Sequence, residues 1–422
     1  MRASATTASA HLAIFVRSLA GGGAERNMAQ LAGGLAELGH RVDLVLARPG
    51  GDFAGEVPPG VRRVDLGGPQ WGRTLAALMR DRATARALAP SLVSAHPPSV
   101  LACAPALAGY LRAERPDALL SALVYANVAA LWARRLAGTD TRVVVSERNA
   151  VFARVGGDAR RRIQRIPELL RRFYPEADAI ACVSGGVADD VARATGIPRE
   201  RICATWSPVV TPGLAAGARP DPPHAWLAPG APPVVLGVGK LKPQKRFDTL
   251  VRAFARLRAT RPARLVILGR GPQRQPLLAL ARRLGVAQDV LLPGFASDPF
   301  AWMRHAAVFA LSSAWEGLPS VLIQALACGC PVVSTDCPHG PREILEGGAH
   351  GPLVPVGDDA ALARALAGVL DQPPPAAALR RRAEAFAVAP VVAATLPLLL
   401  GADAPRRPSS SAASRSATAS TV

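Results

Sequence analysis

Ser312-Ser313-Ala314-Trp315-Glu316-Gly317-Leu318-Pro319-Ser320-Val321-Leu322-Ile323-Gln324-Ala325-Leu326-Ala327-Cys328-Gly329-Cys330-Pro331-Val332-Val333 sets a carboxylate, a helix start and a second polar side chain at fixed offsets. The apolar run from Val308 to Leu311 in front of it reads as a buried strand, and Pro319 suits the first turn of a helix, where its missing N–H is no loss. Glu316 then stands in the turn. Gly317, Leu318, Pro319 and Ser320 would bring unpaired amides and the positive end of the helix toward a ligand above them, a seat for a diphosphate. Gln324 follows about 7.5 Å along the helix at ~1.5 Å rise per residue, so the two polar side chains would touch different parts of one phosphorylated ligand.

Outward from this segment, short β-rich apolar runs alternate with Ala-, Leu- and Arg-rich stretches at helical spacing, the pattern of parallel sheets covered by helices on both faces. Strands are expected at 12–16, 41–46, 63–66, 118–122, 142–146, 179–183 and 202–205. A stretch crowded with Pro, Gly and Ala at 208–233 reads as a linker, after which strands resume at 234–238, 265–268, 290–292, 308–311, 332–334 and 353–355. The division is therefore a first domain over 1–207, the linker, a second domain over 234–384, an uncharged segment at 385–400, and a Ser-, Ala-, Thr- and Arg-rich tail at 401–422 expected to be disordered. Two doubly wound domains joined by a hinge put a ligand cleft between the carboxyl ends of two sheets.

Length and composition narrow the classes. A chain of 422 residues, half of them hydrophobic, can bury two full-sized cores. Its six cysteines form no paired metal-ligand or redox pattern, which favours a reducing cytoplasm. No N-terminal stretch has the form of a signal peptide, and 385–400, interrupted by Pro390 and Pro397, is short for a membrane span. The formal charge of +19 invites a polyanion. Coding composition also produces arginine in an Ala-, Pro- and Gly-rich chain; a peripheral contact with an anionic membrane stays open, and nucleic acid is not expected. The densest basic run, 160–174, interleaves basic and apolar residues as an interfacial helix would, with a kink at Pro167.

Gly239-Lys240-Leu241-Lys242-Pro243-Gln244-Lys245-Arg246-Phe247-Asp248 ends the first strand of the second domain and leads into a helix at 249–258. Together with the Glu316 segment it resembles the donor site of glycosyltransferase family 4, retaining enzymes of the GT-B fold, specifically a bacterial subset that builds surface and lipid-linked glycans. The resemblance spans nearly the whole chain and implies an α/β fold of two Rossmann-like domains, with 385–400 crossing back to the first. It further implies that Lys240 and Lys245 grip the donor diphosphate and that Glu316 contacts the donor sugar. The family has a second acid where Gln324 stands; a glutamine still accepts a hydrogen bond from a ribose hydroxyl but carries no charge. Two preplaced ammonium groups stabilise charge on a departing diphosphate, so no metal or other cofactor is expected. The chain contains no Asp-x-Asp pair.

By the same resemblance, the Gly269-Arg270-Gly271-Pro272 loop and the Gly294-Phe295 turn surround the nucleotide base, with Arg270 where Glu is common. Asp336-Cys337-Pro338-His339-Gly340-Pro341-Arg342-Glu343 matches a loop of the bacterial subset in which a helix opens at Arg342–Glu343; His339 is read there as polar filling. The glycine loop Gly21-Gly22-Gly23 faces the donor diphosphate in the family, Gly22 and Gly23 being assigned to it here. Asn127, Glu147, Arg148 and Asn149 match acceptor-side loops. His96 does not fit the family context and is assigned no role.

The expected function is transfer of a hexose or N-acetylhexosamine from a nucleotide sugar, UDP-linked, to a glycan or lipid-linked glycan. An NADP-dependent oxidoreductase using the N-terminal glycines, a non-enzymatic binder of membrane or nucleic acid, and a transferase weakened by Gln324 are the alternatives.

Overall fold

The computed structural model describes residues 9–20, 22–51, 55–94, 96–157, 161–216 and 221–401. Gly21, Arg160, part of the expected linker and the tail beyond Gly401 lie outside them.

Continuous Val, Leu, Ile and Ala runs make two fully parallel sheets, as expected where both faces are covered. The first holds β1 (His11–Val16), β2 (Arg41–Leu46), β3 (Val61–Asp65), β4 (Ala118–Ala122), β5 (Arg142–Glu147), β6 (Ala179–Cys182) and β7 (Ile202–Ala204), in the order β3-β2-β1-β4-β5-β6-β7. Phe15 lies opposite Val45 on one side and Ser121 on the other. The second holds β8 (Val234–Val238), β9 (Arg264–Leu268), β10 (Val290–Gly294), β11 (Val308–Leu311), β12 (Val332–Thr335) and β13 (Leu353–Val354), in the order β10-β9-β8-β11-β12-β13. The strand order reverses between β1 and β4 in one sheet and between β8 and β11 in the other. Those switch points, at the strands' carboxyl ends, are where such sheets leave a crevice.

The helices that matter to the cleft are α1 (Gly23–Glu37), α2 (Trp71–Arg80), α3 (Val124–Ala137), α4 (Gly185–Thr195), α5 (Phe247–Arg258), α6 (Ser320–Ala327), α7 (Pro341–Ile344) and α8 (Val388–Leu400). α8 packs on the first sheet's helical layer. Methyls of Val388 and Val392 lie so close to Gly34 that any β-carbon there would collide at 2.5 and 2.7 Å, and Arg142 Nε donates to Leu398 O at 2.8 Å. Val209 and Val210, inside the expected linker, are buried and donate to Phe386 O at 2.9 and 3.1 Å. The two chain crossings are thus pinned to each other.

The basic run is corrected by the structure. Its chain forms two short helices, Arg161–Gln164 and Ile166–Phe173, and Pro167 stands in the first turn of the second, where it starts a helix instead of kinking one. Ile163, Ile166, Leu169, Leu170 and Phe173 are buried in the first domain's core, so the apolar face is spent inside the protein and not on a membrane. Among the described residues no helix is long and apolar enough to cross a membrane.

Candidate active site

Four loops of the second sheet meet at its switch point. Gly239 N donates to Leu268 O at 2.9 Å, Leu241 N to Arg270 O at 2.9 Å, and Gly269 N to Gly294 O at 2.7 Å, which lays the ends of β8, β9 and β10 side by side. Only glycine fits these approaches: a β-carbon at Gly269 would lie 1.9 Å from Gly239 O, and one at Gly271 would lie 2.3 Å from Leu241 O. Beyond them Phe295 is 55% exposed with the Arg270 guanidinium 5.6 Å from its ring centre.

Against this row stands the Glu316 turn. Lys245 Nζ donates to Glu316 Oε1 at 2.6 Å, and Ser313 Oγ donates to the same oxygen at 2.6 Å. Ser312 Oγ donates to Lys245 O at 2.8 Å and Gln244 Nε2 to Trp315 O at 2.7 Å, so the loops after β8 and β11 are bolted together from both ends. Pro319 caps α6, with Ser320 its first residue and Gln324 half-buried one turn further. The structure therefore gathers Lys240, Lys245, Glu316, Gly317, Leu318, Pro319, Ser320 and Gln324 around one switch point.

The first domain closes over this turn. Asn27 Nδ2 donates to Ser320 Oγ at 3.1 Å, Ser184 Oγ to Gly317 O at 2.9 Å, Ala150 N to Glu316 O at 3.3 Å, and Gly185 N to Glu343 Oε2 at 2.9 Å. A β-carbon on Gly317 would sit 2.2 Å from Arg148 O. Gly23 faces Ser320 Oγ across the gap, 3.8 Å from where its β-carbon would be. Gly22 instead lies under the carboxylate of Glu25. His339 pairs with Asp190 at 3.4 Å and ties α4 to the loop before α7, while its backbone N donates to Glu316 O at 3.0 Å; its ring joins the lobes. Burial raises the Asp190 pKa, but the His339 and Phe152 N–H bonds outweigh it, so the carboxyl ends below its usual range.

Three of the four acceptor-side assignments need correction. Asn127 and Glu147 are fully buried and Arg148 nearly so. Asn127 accepts from Ser121 Oγ at 2.8 Å and donates to Ser146 O and Tyr174 Oη; Glu147 accepts from Arg148 N, Asn149 N and Tyr174 Oη. Burial pushes the Glu147 carboxyl above its usual range and brings Arg148 down to about 10. Arg148 donates to Ser146 Oγ at 3.4 Å and to Ser207 Oγ at 2.5 Å, so all three side chains are spent on bonds beneath the loop, which they hold up. Asn149 alone of the four lines the cavity beside them.

That cavity, about 670 Å³, runs between the lobes along Arg17, Pro97, Pro98, Leu123, Asn149, Arg154, Lys242 and Trp315, with Glu25 also on its wall. Reasoning from sequence passed over Lys242, Arg17 and Arg154. Lys242 could have been found, since it stands between Lys240 and Lys245 in one basic loop; desolvation in the cleft and then the Lys245 charge lower its pKa. Leu123 holds a left-handed φ of +77°, a conformation that costs a bulky side chain of order 1–3 kcal/mol and gathers at functional sites. Among the described residues one cluster has the ligand types of a metal site, His11, Asp43 and Glu114. It lies at the opposite, amino edge of the first sheet. Arg62 binds Asp43 and Glu114, and Arg41 also binds Glu114, so positive charge is already in place there.

Residues 21–211 match the family model described as Glycosyltransferase Family 4, and residues 220–386 the model described as Glycosyl transferases group 1. The chain belongs to the family 4 glycosyltransferases. Curated relatives agree with that membership: N-acetylgalactosamine-N,N'-diacetylbacillosaminyl-diphospho-undecaprenol 4-alpha-N-acetylgalactosaminyltransferase of Campylobacter jejuni is 32% identical over 55% of this chain and 63% of its own length. Lipopolysaccharide 1,6-galactosyltransferase of Salmonella typhimurium is 32% identical over 42% of this chain and 48% of its own. The chain thus matches about half to under two thirds of the length of these relatives. HepE of Anabaena, solved in complex with UDP-glucose, superposes with a TM-score of 0.68 at 19% identity, covering 91% of this chain and 98% of that one, which shows the GT-B fold. Family membership removes the NADP-dependent oxidoreductase reading of the N-terminal glycines, where the Glu25 carboxylate already lies over Gly22.

Proposed function

We propose that this family 4 glycosyltransferase moves a hexose or N-acetylhexosamine from a UDP-sugar to a glycan or lipid-linked glycan, with retention of configuration and without a metal. The observation that carries this reading is the 2.6 Å Lys245–Glu316 pair at the second sheet's switch point, under the facing lobe. The α6 amino end, Lys240 and Lys245 offer positive charge to the donor diphosphate as it departs. Glu316, held through Oε1, keeps Oε2 for a sugar hydroxyl, and Gln324 offers its carbonyl to the ribose.

The bond from the anomeric carbon to the diphosphate oxygen breaks as the acceptor hydroxyl bonds to that carbon from the same face. The hydroxyl proton passes to the departing phosphate oxygen. Resemblance to family 4 supports retention, and the UDP-glucose bound by HepE supports a uridine donor, for which Phe295 under Arg270 is a stacking platform. Arg17, Arg154 and Lys242 around the cavity suit an acceptor bearing an anionic group such as a diphosphate link. We place the reaction in a reducing compartment, at the inner membrane face when the acceptor is lipid-borne.

Incubating the protein with a panel of nucleotide sugars in EDTA and following release of nucleoside diphosphate tests the reading. UDP-sugars are expected to turn over. Release that requires a divalent cation, or no release from any donor, contradicts it.

A further inference from the structure

Most amphipathic helices of this molecule turn their apolar side inward; α2 does not. Its inner face is set by Thr74 and Leu78, both buried, while Trp71, Leu75 and Met79, each four residues apart, are 38%, 59% and 75% exposed. Residues spaced by four lie above one another, so these three form a continuous apolar ridge facing solvent. Arg73 and Arg80 stand on the same helix, and Arg82 and Arg86 on the next turn of chain, all exposed. From Leu66 to Ala113 the sole acid is Asp81, and it is engaged at a helix start, where its side chain accepts from Thr84 N, and near Arg135.

The ridge is fixed relative to the cleft. Thr74 Oγ1 donates to Ala102 O at 3.2 Å and Gln70 N to the same carbonyl at 2.8 Å, which seats α2 on the short turn Ser99–Cys103. Ser99 and Val100 of that turn line the 670 Å³ cavity. The apolar ridge is therefore one layer from the acceptor side of the site.

We infer that α2 is the surface by which the protein lies on an anionic phospholipid bilayer. An indole and two flexible apolar side chains, bordered by arginines whose stems cover apolar surface while their heads seek phosphate, fit the boundary between headgroups and acyl chains. Charge decides between occupants: four exposed arginines against one engaged acid suit lipid phosphates, whereas a second copy of this strongly basic chain would meet like charge. The inference deepens the reading of a lipid-borne acceptor and rests on it for its purpose, though lipid binding itself is measured separately from transfer.

The full chain is pelleted with vesicles of phosphatidylcholine alone and of phosphatidylcholine mixed with phosphatidylglycerol. Wild type is expected to pellet with the mixed vesicles, and the double variant Leu75→Glu/Met79→Glu to lose roughly tenfold in partitioning. Both sites are exposed, and an unchanged melting temperature and unchanged release of nucleoside diphosphate in the absence of vesicles show that fold and donor site persist. Arg73→Ala/Arg80→Ala, which leaves the ridge intact, should halve or further reduce binding to the mixed vesicles alone. Equal pelleting of wild type and the Glu variant overturns the inference, as does a dimer in wild type that the Glu variant splits. Loss of donor turnover with lipid binding intact would count against the transfer reading and leave the docking surface standing.

Discussion

Both lobes present the carboxyl ends of a parallel sheet to one cleft, yet they spend their polar side chains in opposite ways. In the first, Asn127, Glu147 and Arg148 turn beneath the surface, the first two bonded to Tyr174 and Glu147 also to the loop's own amides, the third to the Ser146 and Ser207 hydroxyls. In the second, Lys245 and Glu316 meet at the switch point, with side chains 14% and 11% exposed, while Lys240 is exposed. A polar residue that ends a strand is thus a support where the loop is propped from below, and a contact where loops from two strands converge above the sheet. The support also has a target: the loop raised by Glu147 carries Arg148 O and Ala150 N, which meet Gly317 and Glu316 of the other lobe.

If the two regions differ in this way, changes in the second should strike turnover and changes in the first should strike stability. Lys240→Ala with Lys245→Ala is expected to lower kcat for UDP-sugar turnover by roughly ten-thousandfold, since each preplaced group facing developing charge contributes about a hundredfold or more. A loss under tenfold would erase the contrast. Gly317→Ala should drive a β-carbon into Arg148 O and part the lobes, an overpacking cost of about 1–3 kcal/mol read as a fall of about tenfold in kcat/KM with the melting temperature nearly held.

Glu147→Gln sharpens the other side. A glutamine cannot serve the Tyr174 hydroxyl and two amides as acceptor at once, so stability should drop by about 1–3 kcal/mol while turnover per folded molecule is kept. The pH dependence has a definite sign. Glu147 has a folded-state pKa raised above the ordinary 4.5, so the folded chain holds this proton more tightly than the unfolded one, and its contribution to stability declines as pH rises from about 4.5 into the raised range. Denaturant melts across that range should show the decline in wild type and not in the glutamine variant. The smallest effect is expected of Gln324→Glu, which restores charge beside the ribose and should tighten UDP binding by about two- to tenfold by calorimetry. Unchanged binding would remove the idea that Gln324 weakens the donor site.

The sequence made the sheets legible because their strands are buried on both faces and read as unbroken apolar runs. β3 is the instructive exception: at the sheet edge, with Arg62, Arg63 and Asp65 exposed, it offers no such run and starts two residues before the expected point. The Glu316 turn and the Lys245 loop were legible because glycine, proline and charge fall at local offsets. Burial of Glu147 was not, since it depends on Tyr174, 27 residues away in the chain. Nor was the inward face of Ile166–Phe173, whose apolar spacing suits a core and a membrane surface equally until the neighbours are known. The exposed ridge of α2 is hidden from sequence for the same reason.

Calorimetric titration of UDP into the metal-stripped protein tests the central claim most directly, with Lys240→Ala/Lys245→Ala measured beside it. Heat of binding that survives EDTA in wild type and weakens by roughly a hundredfold in the double variant is the predicted result. Binding that disappears with the metal, or that is the same in both proteins, would contradict a diphosphate seat built from these lysines.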